Sequence, residues 1–207
     1  MSMKKIMFSD KYDLTRAVLE GRKTQTRRII TIPKNIQRQI VGEPKITGAK
    51  DYRLGVEVRI YDEEDYDFVP MYVQPVYLVN EIVAIARSYK DMSYGALWDD
   101  CLEFEGVEPT KLAGWNNKMF VRADYMLHRI RITKVRIQRL QDISDVDCMA
   151  EGINYYEQEG FSWCSTGELF DTPREAYAAL IDKISGKGTW ESNPYVWVYE
   201  FELVKWI

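Results

Sequence analysis

Arg22-Lys23-Thr24-Gln25-Thr26-Arg27-Arg28 packs four cations and two hydroxyls into seven consecutive residues. A threonine hydroxyl can serve as nucleophile or hydrogen-bond donor. A lysine can serve as general base only when its amine is neutral, against a reference pKa of about 10.4. Arginines suit phosphate contacts. Read for charge alone, the same stretch is a solvated basic turn. Lys23 and Thr26 lie three residues apart, so in a flat strand they would face opposite ways. A shared site therefore demands a turn or bulge between them. Gly21 supports one, because glycine suits the left-handed position that closes a helix.

The elements that must carry this box can be read in order. Lys4 to Phe8 alternates as a short strand. Ser9 or Asp10 is read as the cap of a helix with Leu14, Ala17 and Val18 at helical spacing. Val56, Val58 and Ile60, with Met71-Tyr72-Val73, flank Asp62-Glu63-Glu64-Asp65 as a candidate hairpin. Ile82-Val83-Ala84-Ile85-Ala86 reads as a central buried strand. Met92, Tyr94, Leu97, Trp98 and Leu102 are read as a short helix. Ile130, Ile132, Val135 and Ile137 give the clearest strand, with a one-residue slip at Thr133-Lys134 that predicts a bulge. Ser144, with Asp147 three residues on, caps a helix ending at Glu151-Gly152. Thr172-Pro173 opens an amphipathic helix with Ala176, Tyr177, Leu180, Ile181 and Ile184 on one face, stopped by Gly186 and Gly188. Tyr195 to Leu203 is strongly β-forming.

Long irregular stretches at about 31–75, 88–117 and 153–171 interrupt this order, without repeats or low-complexity linkers. The reading is one α+β domain over residues 1–207 with a small curved sheet or barrel. The net charge of −4 is uneven. Residues 1–40 hold ten Lys/Arg against three Asp/Glu, and 118–139 hold seven against one. Residues 140–175 hold one Arg against nine acids. An acidic chain with basic segments can still bind a polyanion. Three scattered cysteines argue against a disulfide framework, and with a single histidine, His128, a zinc site has little support. No long apolar run or secretion signal is present, so a cytoplasmic protein without a membrane partner, metal or cofactor is expected.

Three segments together resemble a known family. They are Leu19-Glu20-Gly21-Arg22-Lys23-Thr24-Gln25-Thr26-Arg27-Arg28, Ile130 to Gly152, and Gly188-Thr189-Trp190-Glu191-Ser192-Asn193-Pro194-Tyr195-Val196-Trp197-Val198. Their order resembles ASCH domains of the type carried by phages and prophages. The chain departs at Asn80-Glu81, where a glycine-aspartate turn is common. The resemblance implies a PUA-like β-barrel with short flanking helices and a cleft for RNA or nucleosides. Some small ASCH proteins remove the acetyl group from N4-acetylcytidine, and their catalytic Lys, Thr and Glu correspond by motif to Lys23, Thr26 and Glu151.

Three uses of that trio stay open: a polar recognition site, an amidohydrolase site, or a Lys23–Glu151 ion pair of structural purpose. Arg22, Thr24, Arg27, Arg28 and Arg129 are candidate ligand contacts, with Arg131 and Arg136 equally readable as a solvent face. Trp190 and Tyr195 are candidates to stack a base, whereas Trp197 reads as core. The leading expectation is binding of RNA or a modified nucleoside beside the Gly21–Arg28 box. Deacetylation of N4-acetylcytidine-type nucleosides is the alternative. A third is a phage accessory protein working through protein–protein contacts of its insertions.

Overall fold

Five strands make the main layer: β1 (Lys5–Ile6), β2 (Gln25–Ile29), β6 (Ile82–Ile85), β7 (Arg129–Arg139) and β10 (Tyr195–Val204); β6 and β10 carry the apolar, β-branched and aromatic composition of buried sheet. Their spatial order is β1-β6-β7-β10-β2, antiparallel except for the parallel β1–β6 pair. A separate three-stranded sheet joins β3 (Lys45–Thr47), β4 (Gly55–Asp62) and β5 (Asp67–Val73). Its β4–β5 hairpin is the one anticipated, with Val56 opposite Val73 and Asp62 opposite Asp67. The computed structural model describes residues 3–31, 45–47, 55–62, 67–92, 109–157, 159–164 and 167–204. The helix expected from Met92 to Leu102 falls outside these residues apart from Met92, which is the last residue of α2 (Tyr89–Met92). Among the described residues no helix is long and apolar enough to cross a membrane.

The predicted bulge is present. Glu200 of β10 faces Lys134, but Phe201 faces Ile132, so Thr133 is left over. Its effect is on facing. Ile130, Ile132, Val135 and Ile137 stand opposite Leu203, Phe201, Tyr199 and Trp197, all odd positions of β10. Without the extra residue, a period-two strand would turn half of this set to the other face.

The sheet is strongly curled. β1 and β10 are three ladder steps apart, about 14 Å in a flat sheet. Yet Phe8, just beyond β1, packs on Phe201 with ring centroids 5.7 Å apart. Arg28 of β2, one step further still, donates from Nη2 to the Met7 carbonyl. The two edge strands thus approach one another, although no ladder among the described residues joins them.

Helices share the core of the sheet. α1 (Leu14–Leu19) buries Leu14, Ala17 and Val18. Its start departs from expectation: Asp13 precedes it at φ 58° without a side-chain cap, and Leu14 N–H donates to Ser9 O. Asp10 instead accepts from Thr15 Oγ1 at 2.5 Å, which takes it from the capping position. α3 (Asp145–Ala150) is capped by Ser144, which accepts from Asp147 N–H. α4 (Pro173–Ser185) opens on a reciprocal Thr172–Glu175 capping box. It buries Ala176, Tyr177, Leu180 and Ile181, whereas Ile184, in its last turn, is 41% exposed. The stretch after α3, expected as loop, contains the hairpin β8 (Asn154–Tyr156) and β9 (Gly160–Ser162), followed by buried Trp163. A short α5 (Thr189–Ser192) precedes β10. Asn80 turns the chain into β6 at φ 68°, a conformation that asparagine tolerates better than most residues.

Candidate active-site cavity

The Gly21–Arg28 box is not one strand. Gly21 takes φ 75° beyond α1, and Arg22 and Lys23 N–H groups both donate to Ala17 O. Thr24 then bridges two elements, its N–H bonding Ala150 O and its carbonyl accepting from Phe201 N–H. Regular pairing begins only at Gln25, where β2 meets β10. The turn between Lys23 and Thr26 is therefore real, and it lets both residues face the same space.

That space is a cavity of about 330 Å³ between the two edge strands and α4. Lys23, Thr26 and Glu151 all line it, together with Phe8, Arg28 and Tyr177. Leu14, Leu180 and Ile181 add an apolar wall. All three motif residues are buried. Lys23 Nζ donates to Glu151 Oε2 at 2.5 Å and to the Glu151 carbonyl at 2.8 Å. Because Glu151 ends α3, the ammonium also sits where helix carbonyls are unsatisfied and cations are favoured. On its other oxygen Glu151 accepts from Arg27 Nη1 at 3.0 Å.

One buried carboxylate thus meets two buried cations. Burial pushes the Lys23 pKa below its ordinary value, and this outweighs the opposing pull of Glu151, while Arg28 and Arg27 push it lower still. Coulombic attraction alone would have raised it. The balance among burial, carboxylate and arginines, open in the sequence, falls toward an amine that loses its proton more readily than a solvated lysine.

Behind this pair stands a charge chain to which the sequence did not point. Arg27 Nη2 donates to Asp147 Oδ2 at 2.8 Å, and Arg136 Nη2 reaches the same oxygen at 2.9 Å. Gln25 Nε2 bonds Asp147 Oδ1 at 3.1 Å, and Gln25 Oε1 accepts from Arg27 Nη1 at 2.6 Å. Arg136 Nη1 in turn pairs with Glu200. The available signal was parity. Gln25 and Arg27 share a strand face with their register neighbours Glu200 and Val198, and that face looks toward α3 and α4. The Arg27 guanidinium also lies over the Tyr177 ring.

The remaining candidate residues lie elsewhere. Arg22 pairs with Glu20 at 2.7 Å and reaches Asn154 at 3.3 Å, away from the cavity. Thr24 is exposed and engaged through its main chain. Arg129 begins β7, between Ala84 and Val204. Trp190 packs edge-on against Tyr177 at 6.2 Å, with Arg174 over its face at 5.1 Å. Tyr195 is covered by the Arg139 guanidinium at 3.8 Å. One face of each ring is thus held by an arginine of the same chain. Arg28 lines the cavity and lies over Phe8. Trp197 is 4% exposed, in the core as read. Arg131 is half-buried beside Glu202, and Arg136 is bound into the charge chain. Among the described residues no group of His, Cys, Asp and Glu could hold a metal ion.

Comparison of the chain with known protein families, with curated proteins and with solved structures finds no match.

Proposed function

We propose that this is an ASCH-type, PUA-like domain whose cavity binds a modified nucleoside. The observation that carries the reading is convergence. Lys23, Thr26 and Glu151 come from a loop, a strand and a helix end, yet line one cavity. They are the three residues that the motif resemblance singles out. The volume is at the lower end of the range for small-molecule sites, roughly 300–1,000 Å³. The curl that brings β1 and β2 together is what a barrel-like sheet requires, which supports the PUA-like architecture. A nucleoside is favoured over an extended RNA because two cations of the box, Lys23 and Arg27, are buried in ion pairs. Phosphate tracking needs exposed cations.

The lowered Lys23 pKa favours a second reading, hydrolysis of an N4-acylated cytidine. Lys23, as free amine, takes a proton from the Thr26 hydroxyl or from a water as its oxygen adds to the acyl carbon. The C–N4 bond then breaks, N4 leaves with the proton returned by Lys23, and the products are cytidine and the carboxylic acid; a Thr26 ester would be cleared by water. Glu151 holds the amine in place throughout.

Calorimetric titration with cytidine and N4-acetylcytidine, alongside chromatographic detection of released cytidine, tests both readings. Heat of binding that vanishes in Lys23→Met is expected. If hydrolysis occurs, Thr26→Val and Lys23→Met lower kcat/KM by about 10²–10⁴. Binding of neither nucleoside overturns the proposal; binding without cytidine release removes the second reading alone.

A further inference from the structure

The cavity meets Arg27 through its main chain. The residue as a whole is 5% exposed, but its side chain is 0% exposed, so what Arg27 shows to the outside is peptide backbone. Strand geometry says which backbone atoms these are. Ile30 N–H donates to Tyr195 O and Phe201 N–H to Thr24 O, which fixes the phase of the β2–β10 ladder. In an antiparallel pair, hydrogen-bonded and non-bonded residues alternate. Thr26 and Arg28, opposite Tyr199 and Trp197, therefore turn their N–H and C=O toward β10. Arg27, between them, turns both groups the other way, to the edge of β2 that no described strand pairs. No described residue bonds Arg27 N–H or C=O, and Arg27 lines the cavity. An amide pair that lines a cavity needs a new partner when a ligand displaces its water.

We infer that this main-chain edge reads the ligand, Arg27 N–H donating to a ring acceptor and Arg27 C=O accepting from an adjacent exocyclic N–H. The inference rests on the nucleoside reading above and narrows it to a base with an acceptor nitrogen next to an N–H donor. Cytosine and its N4-monoacylated form have that edge at N3 and N4–H. The guanidinium of the same residue does not contact the ligand; it holds Glu151 and Asp147, and through them fixes the strand that presents the edge.

Two measurements test this on the intact protein. In arginine-¹⁵N-labelled protein, Arg27 and Arg28 are adjacent reporters with opposite roles. Without ligand, the Arg28 amide, bonded to β10, exchanges with deuterium at least about tenfold more slowly than Arg27. Saturating cytidine slows Arg27 by about tenfold or more and leaves Arg28 unchanged, as expected for one new hydrogen bond. In titrations, 3-deazacytidine, lacking the N3 acceptor, and N4,N4-dimethylcytidine, lacking the donor, each bind about tenfold more weakly than cytidine. If cytidine binds but Arg27 exchange is unmoved and the two analogues bind equally well, the edge inference is overturned and the nucleoside reading stands. If no nucleoside binds, both fall together.

Discussion

Glu151 is the residue on which the site's electrostatics turn. It is the one carboxylate shared by Lys23 and Arg27, whose side chains are 2% and 0% exposed. Removing its charge strands buried Lys23, while Arg27 keeps Asp147; removing Lys23 leaves Glu151 still paired with Arg27. Glu151→Gln is therefore expected to destabilise the fold by about 3–5 kcal/mol, the usual cost of breaking a buried pair, and Lys23→Met by distinctly less. Urea unfolding of both variants checks the order. Lys23 also makes stability depend on pH. Its pKa in the folded protein lies below the unfolded value of 10.5. Between the two the unfolded chain binds the extra proton, so stability rises with pH through that window. Wild type should gain on Lys23→Met as pH is raised from about 7 toward about 10, because the variant lacks the titrating group. A constant difference across that range would mean that Lys23 titrates normally. The residue types of this trio were legible in the sequence through their motif positions. The role of Arg27 was not, because a guanidinium in a basic run looks alike whether it faces solvent or a carboxylate 120 residues away.

Elements bring the trio together through their ends rather than their middles. Lys23 follows the end of α1, Glu151 closes α3, and Gly152 lies where the two helices approach. Gly152 sits at φ 100°, and a Cβ there would meet Leu14 Cδ2 at 3.4 Å, Lys23 Cβ at 3.5 Å and Ala17 Cβ at 3.6 Å. Those distances are ordinary contact, so the cost of Gly152→Ala is mainly the backbone conformation, about 1–3 kcal/mol. Relief of that strain rotates the peptide next to Glu151. The variant should accordingly lose nucleoside affinity at temperatures where it remains folded. Gly188→Ala provides the control: φ is 86° but nothing lies within 4 Å, and its neighbours do not line the cavity, so stability falls while affinity does not. Chain punctuation of this kind was largely readable. Gly21, the Ser144 and Thr172 caps and the Thr133 slip all follow from local rules about Cβ sterics, capping oxygens and period-two facing. The β8–β9 hairpin was not, since its strands of three residues are too short to display alternation. It is fixed instead by contacts beyond its own sequence, Phe161 pairing with Phe170 and Trp163 packing on the core. Asp13 likewise escaped the capping rules because Asp10 is drawn to Thr15.

At the scale of the molecule, curl and charge work to one end. A flat sheet ordered β1-β6-β7-β10-β2 would hold its edge strands far apart, and no cavity would lie between Phe8 and Thr26. The bulge at Thr133 keeps Ile130, Ile132, Val135 and Ile137 on one face, and bulges of this kind increase local twist. Closing that bend also buries Lys23 and Arg27, and both find carboxylates. Lys23 and Arg27 meet Glu151, while Arg27 and Arg136 meet Asp147. The basic segments that looked suited to a polyanion are in good part consumed by the fold, and the chain keeps a net charge of −4. A consequence can be measured without knowing the natural ligand. If recognition is by buried groups in a small cavity, cytidine affinity should hardly change between about 50 and about 200 mM salt, since no counterions are released. A single-stranded oligonucleotide bound along an exposed basic track would instead lose affinity with a slope of about −0.7 per phosphate neutralised. A flat salt profile for cytidine, together with weak and steeply salt-sensitive binding of oligonucleotides, is the expected pair of results. Tight oligonucleotide binding that competes with cytidine would show that the cavity takes its base from a polymer, and that cations outside the Gly21–Arg28 box hold the strand.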